Sequence, residues 1–268
     1  MKLKNHFLPA MLFLGVAALS SCDRNDEESV VPTVATAGQI SHIMADSADV
    51  TSYNFAGAQL SQINHYNKET GELESFERYE HNSDGKVVKA STYTGDTHTL
   101  LAVQEFTYDN KGLLSKTQSS YYNGNKVDYT SFATYEYSTD NKLSKKSVFE
   151  GTEGKDAEAK SYIAYEVLPN GDYSQEKQYV LNSKDQAVLF STTTYSYDAN
   201  KNPFYAFAEP GKASSPNNLI AAVTQVHASK KTYKYQYAYQ YNEQGSPISQ
   251  AVTTPNGKSE TYTYQYGN

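Results

Sequence analysis

The sequence predicts an all-β fold, an antiparallel meander of repeated β-hairpins that forms one long, twisted and curved sheet. Aromatic and polar residues alternate along most of the chain, as in half-buried strands. Asp/Asn/Gly turn signals separate these runs at a spacing of roughly 25–30 residues, which is typical of a repeat architecture. No stretch offers a capped helix with a sustained apolar stripe. Sheets of many twisted strands tend to curl, so this sheet could also close in part, into an open barrel or a half-shell.

The clearest hairpin runs from Val103 to Lys116. Phe106 and Tyr108 alternate with polar residues on the first strand. Asp109 suits the first turn position because its carboxylate can accept backbone N–H groups two residues on. Gly112 suits a position with φ > 0, which closes a type I turn into a bulge.

Degenerate copies of this hairpin predict about 14 strands in total. The last strand, Glu260 to Tyr266, is expected to be an unprotected edge. The other copies are Tyr79 to Val87, Tyr135 to Leu143, Tyr165 to Tyr173, Tyr195 to Phe204 and Tyr239 to Ile248.

Residues 1–21 have the organisation of an export signal. Lys2 and Lys4 precede the apolar run Phe7 to Leu19, which is too short for an ordinary spanning helix. Leu19 to Cys22 resembles a bacterial lipobox, and that resemblance implies lipidation of Cys22, the single cysteine of the chain. The alternative is an ordinary secretory signal with an incidental cysteine. Several acyl chains on one residue would anchor the protein stably to a membrane.

Residues 22–46 are expected to be the lipidated cysteine and a flexible acidic tether, followed by a single hairpin-repeat domain over residues 47–268. The acidic run Asp23 to Glu28 is a solvated spacer in the simplest interpretation. It also resembles the run that follows the lipidated cysteine in surface-exposed Bacteroidetes lipoproteins. We therefore expect an outer-membrane lipoprotein on the cell surface, with the periplasmic face as the alternative. The net charge of −7 argues against nucleic acid as a partner.

Residues 202–218 interrupt the hairpin rhythm. Pro203, Pro210 and Pro216 exclude a regular central strand there. This insertion is a candidate lid or binding loop, or else a flap that covers one face of the sheet. The following segment, Leu219 to Val226, fits either a short helix or a strand.

Tyrosine dominates the aromatic residues, with 25 Tyr and no Trp. A row of five shares one face of a strand and could stack on sugar rings, but strict alternation favours the interpretation that this face is the buried side of the sheet. A membrane-spanning barrel is not expected, because the opposite face is polar where a lipid-facing band should be apolar. The candidate ligand-binding residues are Tyr233, Tyr235, Tyr237, Tyr239 and Tyr241 of the row, together with Phe204, Tyr205 and Phe207 of the insertion.

No catalytic residue, metal site or cofactor is expected. The six histidines lack metal-ligand spacing, and no nucleophile elbow or phosphate-binding loop is present. A pair of carboxylates suited to glycoside hydrolysis stays open, because any two brought to the right separation would serve. Four acidic residues of one loop would suit weak calcium binding, although a solvated loop is the simpler interpretation: Glu150, Glu153, Asp156 and Glu158.

The turn from Tyr108 to Leu113 resembles a YD repeat of the kind found in Rhs-type shells. The chain is more similar to uncharacterised Bacteroidetes lipoproteins with YD-like hairpins, which also tend to carry Asn-Pro-Phe after one turn, as Asn202, Pro203 and Phe204 do here. This resemblance implies a fold and a compartment, and no activity.

These observations predict a non-catalytic envelope lipoprotein that binds an extracellular ligand. A glycan is the favoured ligand, and an exposed tyrosine row beside the insertion would support it. The alternative is a structural or protein-interaction module of the outer membrane, which an apolar patch or a free edge strand would support.

Overall fold

The computed structural model describes residues 38–152, 154 and 157–267. Sixteen antiparallel strands account for most of these residues, joined by short turns and by one longer segment after the twelfth strand. The strands are β1 (Ile40–Ala45), β2 (Ala48–Ala56), β3 (Gln59–Tyr66), β4 (Leu73–His81), β5 (Val87–Thr94), β6 (Leu100–Tyr108), β7 (Leu114–Asn123), β8 (Lys126–Tyr137), β9 (Leu143–Glu150), β10 (Glu158–Val167), β11 (Tyr173–Leu181), β12 (Ala187–Lys201), β13 (Asn217–Val226), β14 (Lys231–Tyr241), β15 (Pro247–Thr253) and β16 (Ser259–Tyr266).

The sheet closes into a complete barrel. Each strand pairs with its neighbours in sequence, and β1 pairs with β16 through Ile43 opposite Tyr264 and Ala45 opposite Tyr262. The all-β antiparallel meander is therefore confirmed, and its curl ends in full closure. The expectation of an unprotected edge at Glu260 to Tyr266 is wrong, because this segment hydrogen-bonds to β15 on one side and to β1 on the other. Closure removes the edges of a sheet.

The sixteen strands exceed the predicted number of about 14, and the first of them explains part of the difference. β1 begins at Ile40, seven residues before the expected start of the domain at residue 47. Its residues alternate weakly, and their role depends on a partner strand more than 200 residues away. The segment left open between helix and strand, Leu219 to Val226, lies in β13.

The hairpin turns have the predicted chemistry. The Asp109 carboxylate accepts the backbone N–H groups of Lys111 at 2.9 Å and Leu113 at 2.8 Å, and Gly112 has φ of +77°. The register shifts just before this turn, as a bulge requires. Asn242 accepts two N–H groups in the same way in another copy, so asparagine serves where the aspartate is missing.

The barrel has two distinct ends. Strands with even numbers finish at the end that we call the plug end, where the turns 82–86, 109–113 and 138–142 lie. The described chain also begins and finishes there, since Gly267 donates to the Gln39 carbonyl. The opposite end, which carries turns such as 123–126, is called the far end.

The tyrosine row of β14 lies inside the barrel. On β14 the partly buried Tyr235, Tyr237 and Tyr239 alternate with exposed Gln236 and Gln240. The outer wall carries ion pairs between neighbouring strands, each with a nitrogen–oxygen distance of 2.8–3.0 Å. These pairs are Glu80 with Lys89, Glu136 with Lys145 and Glu166 with Lys177.

The main apolar cluster lies on one side of the barrel. Its buried residues come from β2 to β9 and include Phe55, Tyr79, Phe106 and Tyr135. On the other side every residue of β10 and β11 is at least partly exposed. Tyr165 of β10 and Tyr173 of β11 pack against the edge of this core.

Candidate ligand-binding site

Residues 202–216 form a plug that covers the plug end of the barrel. A short 3₁₀ helix, Tyr205–Phe207, lies within it. Phe207 packs edge-on against Phe55 of β2, with ring centroids 5.4 Å apart, and lies 5.8 Å from the Tyr53 ring. Phe204 packs edge-on against Tyr264 of β16 at 5.9 Å. Two aromatic side chains thus dock the plug on the strands that flank the closure.

The base of the plug is fixed by hydrogen bonds between its two ends. The Asn202 backbone N–H donates to the Pro216 carbonyl at 2.8 Å, and its side-chain amide donates to the Ser215 carbonyl at 2.9 Å. The Ser215 hydroxyl accepts the backbone N–H of Tyr173 on β11 at 3.1 Å. The predicted insertion 202–218 therefore acts as a cover over the mouth, and its last two residues already belong to β13.

A cleft of about 430 Å³ separates the plug from the turns that follow β8 and β10. This volume lies in the usual range for small-ligand sites. Three tyrosines line it, Tyr137 and Tyr173 from the barrel and Tyr205 from the plug, and we call it the tyrosine cleft. Tyr205 is 50% exposed, so a ligand can reach its side chain.

The hydroxyl groups of Tyr137 and Tyr173 remain protonated at neutral pH. Burial, together with the nearby Tyr205, raises the pKa of Tyr173 to about 12. Burial is also the main cause that raises the pKa of Tyr137 to about 12, and its hydroxyl donates to the Leu114 carbonyl at 2.9 Å. The amides of Asn141 and Asn170 and the amines of Lys142 and Lys212 also line the cleft.

A second, smaller cleft of about 260 Å³ lies on the other side of the plug. Phe207 and Glu209 of the plug face Tyr79, Lys86 and Tyr108 across it. The Lys86 ammonium lies 5.2 Å from the centre of the Tyr108 ring and donates to the Gly112 carbonyl at 3.0 Å. The basic group of this cleft, Lys86, is thus already in contact with protein atoms.

A carboxylate inside the barrel is held in its charged form near the plug. Glu77 on β4 lies 3.7 Å from His65, accepts the hydroxyl of Tyr79 and has a side chain only 18% exposed. Burial acts to raise the pKa of Glu77, but the hydrogen bonds from His65 and Tyr79 outweigh it and hold the pKa below its usual range.

A second carboxyl group inside the barrel has a raised pKa, in contrast to Glu77. Burial raises the pKa of Glu176 on β11 above its usual range, although a hydrogen bond from Tyr195 and the charge of Lys146 act to lower it. Burial also lowers the pKa of Lys146. Glu77 and Glu176 are each bound to a protein hydroxyl, so both have a structural partner in the wall.

The predicted tyrosine row lies along the inner wall of β14. Tyr233, 42% exposed, lies at the far end, whereas Tyr241 lies at the plug end and bonds to Asp198. Tyr239 accepts the side-chain amide of Gln250 at 2.6 Å. The row does not line the tyrosine cleft, so among the predicted residues only Tyr205 does, while Phe204 and Phe207 are docking groups of the plug.

Sequence reasoning missed Tyr137, Tyr173 and Lys142 in the cleft. Each lies beside a plug-end turn, next to a repeat signature that the sequence does display. The signal that would have found them is the position of the insertion after an even-numbered strand, which puts it at the same end as those turns.

Two further sequence predictions concern residues outside the described part of the chain. Cys22 lies there, and so do Glu153 and Asp156 of the suggested calcium site. Among the described residues no group of three His, Cys, Asp or Glu side chains is placed to hold a metal ion. Glu150 and Glu158 each form an ion pair with Lys160 at 2.8 Å. None of the helices within residues 38–267 that the structure describes has the length and apolar character needed to cross a membrane.

Comparisons with known proteins give distant structural likenesses. No protein family matches the chain. No curated protein matches it either. A porin-like protein from Bacteroides vulgatus is 12% identical, with a TM-score of 0.49 over 85% of this chain and 98% of that one. A porin-like protein from Bacteroides uniformis is 14% identical, with a TM-score of 0.45 over 84% and 97%.

Part of the Photorhabdus luminescens Tc holotoxin pore is also similar to this chain. It is 15% identical with a TM-score of 0.30, over 78% of this chain and 9% of that one. At these identities and scores the likenesses carry no argument about the function of this protein.

Proposed function

We propose that the protein is a non-catalytic, lipid-anchored envelope protein that binds a saccharide in the tyrosine cleft. The observation that carries the proposal is the lining of this cleft, where three tyrosines and two asparagine amides contribute to the wall of a volume of about 430 Å³. Flat aromatic faces suit the apolar faces of sugar rings, and neutral amides and hydroxyls suit their hydroxyl groups.

The closed barrel supports a ligand-binding role over strand addition. A partner that adds a strand needs a free sheet edge, and β1 and β16 pair with each other.

The proposed anchor is Cys22, and the ion-paired outer wall supports an anchored protein over an embedded one. Charged side chains such as Glu136 and Lys145 lie where a spanning barrel would present apolar residues to lipid. A Cys22→Ser chain should move from the membrane fraction to the soluble fraction. Retention in the membrane would contradict the anchor.

Native affinity electrophoresis of the mature chain carrying Cys22→Ser tests the saccharide proposal against a panel of host and dietary polysaccharides. Two exposed tyrosines at opposite ends of the barrel form a matched pair, Tyr205 at 50% and Tyr233 at 42% exposure. We expect at least one polysaccharide to retard the protein, Tyr205→Ala to abolish retardation and Tyr233→Ala to preserve it.

The reverse dependence on the two tyrosines would move the site to the far end of the barrel. No retardation by any member of the panel would overturn saccharide binding and leave a structural or protein-interaction role in the envelope.

A further inference from the structure

The tyrosine cleft differs in charge from the rest of the molecule, and this difference bears on the ligand of the proposed function. The whole chain has 30 acidic and 23 basic residues. The described lining of the cleft contains two amines, Lys142 and Lys212, and no carboxylate. A concave site lined by charges of one sign attracts ligands of the opposite sign.

Lys142 supplies a positive charge that forms no ion pair with an acidic side chain of the described residues. Its ammonium donates to the carbonyl oxygens of Leu168 at 2.6 Å and Pro169 at 3.1 Å, which fix its position without cancelling its charge. An ammonium group has three N–H donors, so one is left for a ligand. The side chain is half-buried between the turn after β8 and the turn after β10, so these two turns hold the ammonium group in place.

The acidic residues near the cleft are engaged elsewhere. Glu209 is 12% exposed, pairs with Lys212 and lines the second cleft. Asp172 is 2% exposed and accepts the side-chain amide of Asn170 and the backbone N–H of Asn217. Lys212 is therefore paired with Glu209, and Asp172 is buried behind the lining, so Lys142 is the cleft-lining amine that has no ion pair among the described residues.

We infer that the ligand is an acidic saccharide, a polymer with carboxylate groups such as those of uronic acids. One carboxylate binds the free donor of Lys142, and an adjacent sugar ring lies against Tyr205. Charge-assisted hydrogen bonds are the stronger class, so this contact distinguishes acidic from neutral saccharides. The inference rests on the proposed function and makes it more specific.

The experiment compares polymers that differ only in charge. Polygalacturonate, alginate and hyaluronate are each tested against the mature Cys22→Ser chain, in native form and after chemical reduction of their carboxyl groups to alcohols. We expect at least one native polymer to bind at least about tenfold more tightly than its reduced form, with an affinity that falls as salt is raised.

Variants of two lysines on one hairpin locate the charge that matters. Lys142→Gln should remove the preference for the native polymer, and Lys142→Arg should retain most of it. Lys145→Gln is the matched control, because Lys145 lies three residues along on the outer wall and pairs with Glu136. Thermal unfolding of each variant checks that the fold is intact.

Three results would overturn the inference. Equal binding of native and reduced polymers would leave saccharide binding in place and remove the acidic preference. A preference that survives in folded Lys142→Gln would place the charge contact elsewhere. Failure of all six polymers, while a neutral polysaccharide of the wider panel binds, would remove the acidic ligand, whereas failure of every polysaccharide would remove the proposed function itself.

Discussion

Substitution of Gly211 by alanine tests whether the plug is docked in the mouth of the barrel. Gly211 has φ of +80°, and a Cβ atom there would lie 2.3 Å from the Tyr135 hydroxyl oxygen. Left-handed backbone costs a non-glycine residue about 1–2 kcal/mol. Relief of the contact requires Tyr135 to move, which breaks its hydrogen bond with Thr117 at 3.0 Å and adds about 1 kcal/mol. Repacking of the buried ring adds about 1 kcal/mol or more.

Gly257 is the matched control, since it also has φ of +80° but has no atom within 4 Å of the added Cβ. Gly211→Ala should therefore lower the free energy of unfolding by about 2 kcal/mol more than Gly257→Ala does, or about 5 °C in the melting temperature. Urea and thermal unfolding measure this difference. Hydrogen exchange of residues 202–216 distinguishes two causes of the loss. Exchange there becomes faster if the plug is released from the barrel, and stays unchanged if the plug remains docked and the barrel is strained. Equal losses in the two variants, with unchanged exchange in the plug, would refute the docking.

Two further predictions concern the turns and the inner carboxylates. Asp109→Ala should lower the free energy of unfolding by about 1 kcal/mol, because two backbone N–H groups lose their acceptor. Among the described residues, Asp140 accepts only a long hydrogen bond from the neighbouring Thr139, at 3.5 Å, so Asp140→Ala should stay within about 0.5 kcal/mol of the wild type in urea unfolding. Because the pKa of Glu77 is lowered by folding and that of Glu176 is raised, ionised Glu77 stabilises the barrel above the unfolded value of about 4.3 and ionised Glu176 destabilises it there. Glu77→Gln should therefore melt below, and Glu176→Gln above, the wild type at neutral pH. Both differences should shrink as the pH falls below about 4, and melting curves that stay parallel across this range would contradict the assignment.

Local features of the fold were predictable from the sequence. The turn at Asp109 depends on contacts within four residues, so its hydrogen bonds follow from residue types at fixed spacing. The alternation on β14 likewise predicted that one face of the strand is buried, and its tyrosines do face the interior. The turn was recognisable even where Asn242 replaces the aspartate, because the asparagine side chain offers the same oxygen acceptor.

Closure and the candidate site were not predictable, because both depend on distant partners. The pairing of β1 with β16 joins Ile43 to Tyr264 across most of the chain, and neither strand signals the other. The cleft is assembled from the ends of separate hairpins and a plug, so the roles of Tyr137 and Lys142 depend on where Tyr205 is placed. The sequence showed that residues 202–218 interrupt the hairpins, but the part of the barrel that they cover depends on how the distant strands close.

The most direct test of the account is hydrogen exchange of the mature chain with and without the polysaccharide that binds it most tightly. The account predicts slower exchange in the segments around the tyrosine cleft, 137–143, 167–173 and 203–214, with no change around Tyr121, Tyr129 and Tyr233 at the far end. Protection confined to the far end, or spread evenly along the inner wall, would contradict a binding site in the tyrosine cleft.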